Sequence, residues 1–112
     1  MPINNLLFVD DDPVWLRLGQ RRFQALTPNV DVAKDYDSAI RKIRKTTYDL
    51  IILDSLEGDC FRIHQDAKDL PHGDVVIFSA NMLIQSHAER LGIPFYSKLN
   101  NDLDKIIRTY KK

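Results

Sequence analysis

The residues of this chain best suited to chemistry stand directly after its short apolar runs. Leu6–Val9 leads into Asp10, Asp11 and Asp12, Leu50–Leu53 into Asp54, Val75–Phe78 into Ser79, and Phe95–Ser97 into Lys98. Taken singly, an aspartate in such a place is a turn former or a helix cap, and Asp12, followed by Pro13, reads first as an N-cap. Taken together they form a different set. Carboxylates within a few ångströms of one another repel and raise each other's pKa unless a cation sits among them. Oxygen-only ligands select a hard ion, and Mg2+ takes a few carboxylates, several waters and a phosphate. A lysine adds a fixed positive charge and a serine hydroxyl adds a donor. Such parts suit phosphoryl transfer, where positioning and charge neutralisation carry the catalysis and a carboxylate can serve as nucleophile.

That chemistry requires the ends of the four runs to meet. None of the runs alternates with polar residues, so they read as strands buried on both faces in a parallel sheet covered by helices. Val30–Ala33 does alternate and reads as an edge strand, with Asp31 and Lys34 in keeping with exposure. Helical patterns fill the gaps. Asp12-Pro13 starts a helix expected to reach about Leu26, with Val14, Trp15, Leu18, Phe23 and Leu26 as its apolar set. Asp37 or Ser38 is expected to cap a second helix with Ala39, Ile40 and Ile43 inward. Cys60–Lys68 and Met82–Leu91 follow, the latter ended by Gly92, and Asp102–Tyr110 is the fifth. Strand and helix thus alternate five times. The pattern predicts an α/β fold: a flavodoxin-like, doubly wound, five-stranded parallel sheet of order 2-1-3-4-5 with helices on both faces. Ligands bind such sheets at the carboxyl ends of the strands. Strands 1, 3, 4 and 5 are neighbours in that order, so their end residues should share one cleft.

Length and composition agree with a single domain spanning 1–112. Sixteen Lys and Arg balance sixteen Asp and Glu, 44% of residues are apolar and 29% charged. A chain of this size buries roughly two thirds of its unfolded surface. Neutrality argues against nucleic acid or a membrane as partner. Cys60 is the single cysteine, so no intramolecular disulfide forms, which suits a reducing cytosol. No apolar run approaches the ~20 residues of a membrane span. Met1-Pro2-Ile3-Asn4-Asn5 lacks a basic leader region, and a cytoplasmic location is expected. Cys60 reads as a partly buried helix residue. His64, His72 and His87 show no metal-ligand spacing and read as surface residues. Arg41–Lys45 reads as a solvated helix face, and Trp15 as packing.

The constellation resembles the receiver domains of two-component response regulators over nearly the whole chain. The resemblance rests on Leu7-Phe8-Val9-Asp10-Asp11-Asp12-Pro13, on Ser38-Ala39-Ile40, on Tyr48-Asp49-Leu50-Ile51-Ile52-Leu53-Asp54, on Ser79-Ala80 and on Lys98. It implies that Asp54 accepts a phosphoryl group from a histidine kinase or phosphotransfer protein. It implies Mg2+ bound directly by Asp11, through water by Asp10, and by Asp54 and the Leu56 backbone carbonyl. Lys98 would pair with Asp54 and then with the phosphoryl oxygens. Ser79 would move toward that group, and Phe95 holds the place of the switch aromatic. The fourth helix, fifth strand and fifth helix would present the output to a downstream protein. The chain would act as a stand-alone receiver, a monomer or weak homodimer, with self-phosphotransfer and slow self-dephosphorylation rather than enzymatic turnover.

Three features depart from the family pattern. The loop Ser55-Leu56-Glu57-Gly58-Asp59-Cys60 has no Met-Pro pair, and Glu57 either faces water or adds an acid near the metal. Lys98 is followed by Leu99 rather than proline, and a non-proline cis bond costs ~2.5–4 kcal/mol, so a trans bond is expected. The third and fourth helices are short, so the output face is expected to be altered. Leu56 and Asn81 stand where the family tunes dephosphorylation; neither is an acid, which predicts a persistent phosphoryl group. Two other readings stand beside this one. A degenerate receiver would bind a partner without phosphorylation. A haloacid-dehalogenase-type phosphohydrolase would use Asp10 as nucleophile and Asp12 as acid/base in Asp10-Asp11-Asp12-Pro13-Val14, with Ser79 and Lys98 as its further motifs. The chain is short for that fold, and it leaves Asp54 unexplained.

Overall fold

A strand whose two faces are both covered has no use for polar residues, and the short apolar segments of this chain form the middle of the sheet for that reason. A computed structural model describes residues 2–111; Met1, first of the N-terminal stretch, and Lys112, last of the C-terminal basic run, lie outside the described residues. The strands are β1 (Leu6–Val9), β2 (Val30–Ala33), β3 (Leu50–Leu53), β4 (Asp74–Ser79) and β5 (Phe95–Ser97). The helices are α1 (Pro13–Arg22), α2 (Tyr36–Lys45), α3 (Asp59–Ala67), α4 (Gln85–Arg90) and α5 (Leu103–Tyr110). The sheet has the order β2-β1-β3-β4-β5 and every neighbouring pair is parallel, as the alternation of elements predicts.

Alternate side chains of the strands feed two separate cores. Leu7, Val9, Ile51, Leu53 and Ile77 pack with Ala39, Ile40 and Ile43 of α2, Cys60 and Ile63 of α3 and Ala88 of α4. Leu6, Phe8, Leu50, Ile52, Val76 and Phe78 pack with Phe23, Tyr96, and Leu103 and Ile106 of α5. The helices therefore cover both faces.

The helix termini follow local chemistry, though not always the expected residue. The Asp12 carboxylate accepts the Val14 N–H at 2.9 Å, and Pro13 takes the first helical position. The helix α1 ends at Arg22 and tightens into a 3-10 turn at Phe23–Ala25, short of the expected Leu26. The cap of α2 is Asp35, not Asp37 or Ser38. Asp35 accepts the Ser38 N–H at 2.9 Å and the Ser38 hydroxyl accepts the Asp35 N–H, a reciprocal capping box. The segment Met82–Leu91 divides into a 3-10 turn, Met82–Ile84, and the six-residue α4, with Gly92 at φ +75° closing it. Helix α4, with six residues, is the shortest described, whereas α3, with nine, is longer than α5, with eight. Asp102 caps α5 by position only, for its side chain is engaged elsewhere.

The stripe by which α1 meets the sheet also differs from the expected one. Val14 and Leu18 face solvent, at 60% and 40% exposure. The expected Trp15, Phe23 and Leu26 do pack inward, joined by Leu16 and Gly19; Trp15, Gly19 and Phe23 lie one per turn on one side of the helix axis. A Cβ on Gly19 would stand 2.2 Å from Cε2 of the buried Phe8 ring, and Phe8 in turn meets Phe23 edge-on at 5.3 Å between ring centres. Glycine at this one position sets how closely α1 approaches β1. Gly19→Ala is therefore expected to lower stability by ~1–3 kcal/mol through overpacking. The loss comes despite the ~1 kcal/mol by which alanine favours an exposed helix. Urea unfolding measures it; an unchanged or higher midpoint would contradict the close approach.

Candidate functional site

Register decides which side chains meet. Val9 lies opposite Leu53, and Leu53 opposite Ile77, so Asp10 and Asp54 leave the sheet at the same level. Strand β4 continues to Ser79, which pairs with Ser97 of β5, and Lys98 follows one residue further out. The carboxyl edge is thus stepped. The long lysine side chain spans the step back toward β1 and β3.

Asp10 is fully buried and Asp54 nearly so. Lys98 Nζ donates to Asp10 Oδ2 at 2.6 Å and to Asp54 Oδ1 at 2.9 Å, with only 7% of its side chain exposed. The remaining carboxylate oxygens are engaged locally. Asp10 Oδ1 accepts the Asp12 N–H at 2.9 Å, and Asp54 Oδ2 accepts the Leu56 N–H at 3.4 Å. Backbone bonds tie both residues to their neighbours: the Asp10 N–H donates to the Ala33 carbonyl and the Asp54 N–H to the Val9 carbonyl. Asp11 is exposed, yet Asp10, Asp11 and Asp54 each offer a carboxylate oxygen within 4.8 Å of the others. Ser79 is buried; its hydroxyl accepts the Asn81 N–H, and its carbonyl accepts the Lys98 N–H.

Burial pushes the Asp10 carboxyl above the ordinary carboxylate range, and the Asp54 charge pushes the same way. The Lys98 ammonium and the Asp12 N–H oppose that shift without cancelling it. The Lys98 ammonium pairs with Asp10 and Asp54, and Asp11 adds a third acid beside them, so the ionised cluster carries surplus negative charge. All its donors are oxygens. Such a set fits a small hard cation such as Mg2+, and it does not fit a soft one.

The loop after Asp54 is unusual. Leu56, Glu57 and Gly58 have φ of +49°, +54° and +97°, three successive left-handed residues of which only one is glycine. Leu56 keeps its side chain in the core while Glu57 faces solvent. The Lys98–Leu99 bond is trans, since the described residues contain no cis peptide. Lys98 nonetheless reaches both carboxylates.

Some residues had no site role in the sequence pattern. The Trp15 ring lies with its centre 4.7 Å from Lys98 Nζ and packs edge-on against Phe78 at 5.4 Å. Ser97 and Asp102 brace the loop that carries Lys98: the Asp102 carboxylate accepts the Ser97 N–H at 2.8 Å, and the Ser97 hydroxyl accepts the Leu99 N–H at 3.1 Å. Only the proximity of residue 102 to residue 97 hinted at such a brace. Other candidates lie apart from the cleft. Phe95 is half-buried against the core that contains Ala88 and Ile93. Cys60 is fully buried, more than expected, and burial pushes its thiol up to about 12. His64 and His72 are half-buried rather than on the open surface, and exposed His87 stacks on Phe61 at 4.1 Å. Arg41, Arg44 and Lys45 are exposed and Lys42 is half-buried, so the basic run is a solvated face. No helix among the described residues is long and apolar enough to cross a membrane.

Comparison with known proteins locates the fold. No protein-family model matches this chain, and no curated protein matches it in sequence. Solved structures do match. A response regulator receiver domain protein from Methanospirillum hungatei shares 15% identity over 92% of this chain and 95% of its own, with a TM-score of 0.67. A response regulator protein from Thermotoga maritima, solved in complex with Mg2+ and BeF, shares 22% over 91% and 97%, also at 0.67. A chain described as an adenylate cyclase from Rhodopirellula baltica shares 19% over 96% and 89%, at 0.73. These likenesses establish the flavodoxin-like fold, and the site must carry the argument for function.

The surplus charge has a measurable consequence. A carboxyl whose folded-state pKa is raised contributes stability that is fully present below the ordinary carboxylate range and lost as pH rises through the folded-state value. Ionised Asp10 is therefore a net cost at neutral pH. Asp10→Asn removes the charge and keeps one oxygen, enough for the Asp12 N–H or for Lys98 but not for both, while Lys98 stays paired with Asp54. In buffer containing a metal chelator, the urea midpoint of wild type is expected to fall relative to that of Asp10→Asn as pH rises from about 4 to 7. A gap between the two midpoints that does not change with pH would contradict this balance.

Proposed function

We propose that this chain is a phosphoacceptor switch of the two-component type, a single receiver-like unit spanning 1–112, in which Asp54 is the acceptor. The observation that carries the reading is the double hold of Lys98 on Asp10 and Asp54 beside a third acid, Asp11. A carboxylate oxygen of Asp54 attacks the phosphorus of a phosphohistidine on a histidine kinase or phosphotransfer protein. The P–N bond breaks, its electron pair returns to the imidazole, and Asp54 becomes a mixed anhydride.

Asp11 and Asp54, the Leu56 backbone carbonyl, and Asp10 through water would hold Mg2+. When bound, the ion supplies neutralisation of the charge on the transferring group. Lys98 stabilises the added phosphoryl oxygens, and the Ser79 hydroxyl exchanges its Asn81 contact for them. These contacts exist only in the phosphorylated state, so they bias a two-state equilibrium. A shift from 1:99 to 99:1 needs about 5.5 kcal/mol of differential interaction. Charge-assisted hydrogen bonds contribute about 1.5–3 kcal/mol each, so both residues are needed. Phe95, half-buried beside β4, follows the Ser79 movement, and the surface of α4, β5 and α5 presents the result to a downstream protein. The chain acts in the cytoplasm as a monomer or weak homodimer and binds neither nucleic acid nor membrane. It carries out self-phosphotransfer and slow self-dephosphorylation rather than turnover of a substrate.

Two observations favour this over its rivals. Asp54 lies in the cleft paired with Lys98, a position that a haloacid-dehalogenase-type mechanism leaves unexplained, while Asp12 caps α1. Lys98 reaches both carboxylates without a following proline, so that departure does not disable the cleft.

Incubation with acetyl phosphate and Mg2+, read by intact mass, tests the reading. Wild type should gain one phosphoryl group, Asp54→Ala none, and Asp10→Ala far less than wild type. Because Leu56 and Asn81 offer no base to water, the adduct should outlast several minutes. An adduct that survives Asp54→Ala, or turnover of phosphate esters that depends on Asp10, would sink the proposal; no adduct at all would leave a degenerate adaptor.

A further inference from the structure

Lys98 has neighbours of two kinds. Its ionic partners are Asp10 and Asp54. Its other neighbours are rings: the centre of Trp15 at 4.7 Å and that of Phe78 at 5.7 Å. The two kinds respond differently to the proposed chemistry. A cation held by Asp10, Asp11 and Asp54 draws on both carboxylates that hold the ammonium. A phosphoryl group on Asp54 converts one of its carboxylate oxygens into a bridging atom. Both ionic contacts are thus disturbed by the reaction they serve. The attraction of an ammonium to the face of an indole involves no shared oxygen and survives such changes.

Trp15 is itself well anchored. It stands in the first turn of α1, packs edge-on against Phe78, and lies one turn before Gly19, where the helix presses against β1. The ring is half-buried, in a site where cation–π attraction is stronger than on an open surface.

We infer that Trp15 is a positioning residue whose ring keeps the Lys98 ammonium in the cleft while the metal and the phosphoryl group occupy its carboxylate partners. The role in phosphoryl transfer rests on the function proposed above; the hold on Lys98 in the presence of Mg2+ does not.

Two measurements on the full chain test it, each with wild type, Trp15→Phe and Trp15→Leu. Leucine fills space without a ring face, and phenylalanine keeps a weaker one. The first is NMR of the Lys98 side chain. In wild type the indole ring current should hold the Lys98 Cε protons upfield of those of exposed lysines, and saturating Mg2+ should leave them there. In Trp15→Leu that upfield shift should be lost. If Mg2+ moves the wild-type protons to the position of exposed lysines, Trp15 does not hold Lys98 and the inference fails. The second is the rate of phosphoryl incorporation from acetyl phosphate at saturating Mg2+. Trp15→Leu should slow it about tenfold and Trp15→Phe about two- to threefold. Equal slowing by both variants would assign the effect to lost volume and overturn the inference. Should Trp15→Leu fail to fold, Trp15→Phe decides: a retained upfield shift with modest slowing supports the ring, and a wild-type rate opposes it. If wild type takes no phosphoryl group, the proposed function falls while the NMR comparison still decides what Trp15 does.

Discussion

One ammonium group holds three strands' ends in register. Lys98, at the tip of β5, reaches across β4 to the carboxylates that follow β3 and β1. Ordered charges are tolerated in a protein interior only when they are paired, and here Asp10 and Asp54 find their shared partner 88 and 44 residues away along the chain. No buried side-chain polar atom among the described residues is left without a hydrogen bond. The pairing is incomplete in charge rather than in hydrogen bonds. One positive group faces three acids, and that imbalance makes the cleft receptive to a divalent cation.

The parts around the cleft serve this arrangement through ordinary local physics. Short strands that are apolar on both faces fix the level at which Asp10 and Asp54 leave the sheet. Gly19 brings α1 close enough for Trp15 to lie beside Lys98 and Phe78. The loop that carries Lys98 lacks the proline common in receiver domains. Ser97 and Asp102 brace it by hydrogen bonds instead, with Asn101 in the left-handed conformation that asparagine tolerates. The loop after Asp54 lacks the Met-Pro pair and turns through left-handed Leu56 and Glu57, a conformation that costs a non-glycine residue ~1–2 kcal/mol. Burial of the Leu56 side chain in the core offsets part of that cost.

The fold by itself is a poor guide to chemistry. The same architecture serves two response regulator proteins and a chain described as an adenylate cyclase. The case for chemistry in this chain rests on the set of side chains at the carboxyl ends of its strands, beside which Asp12 caps α1.

Much of this was legible in the sequence. Four apolar segments, one alternating edge strand, the residues after them and the sheet order all follow from hydrophobic pattern, because a doubly covered strand leaves little choice of residue. Helix starts were less legible. Asp35, Asp37 and Ser38 are all capable caps, and only the backbone path shows that Asp35 accepts and Ser38 returns the bond. The inward face of α1 was legible in Trp15, Phe23 and Leu26 but not in Gly19, which carries no hydrophobic signal, while Val14 and Leu18 carry one and face water. Trp15 read as packing, since pattern cannot say what lies across a sheet from a ring. The sequence alone thus determined which residues carry charge and which strands precede them. Tertiary structure alone decided how that charge is shared. The neutralising contacts depend on strand register and on the reach of one long side chain, and neither is encoded in any local stretch of residues.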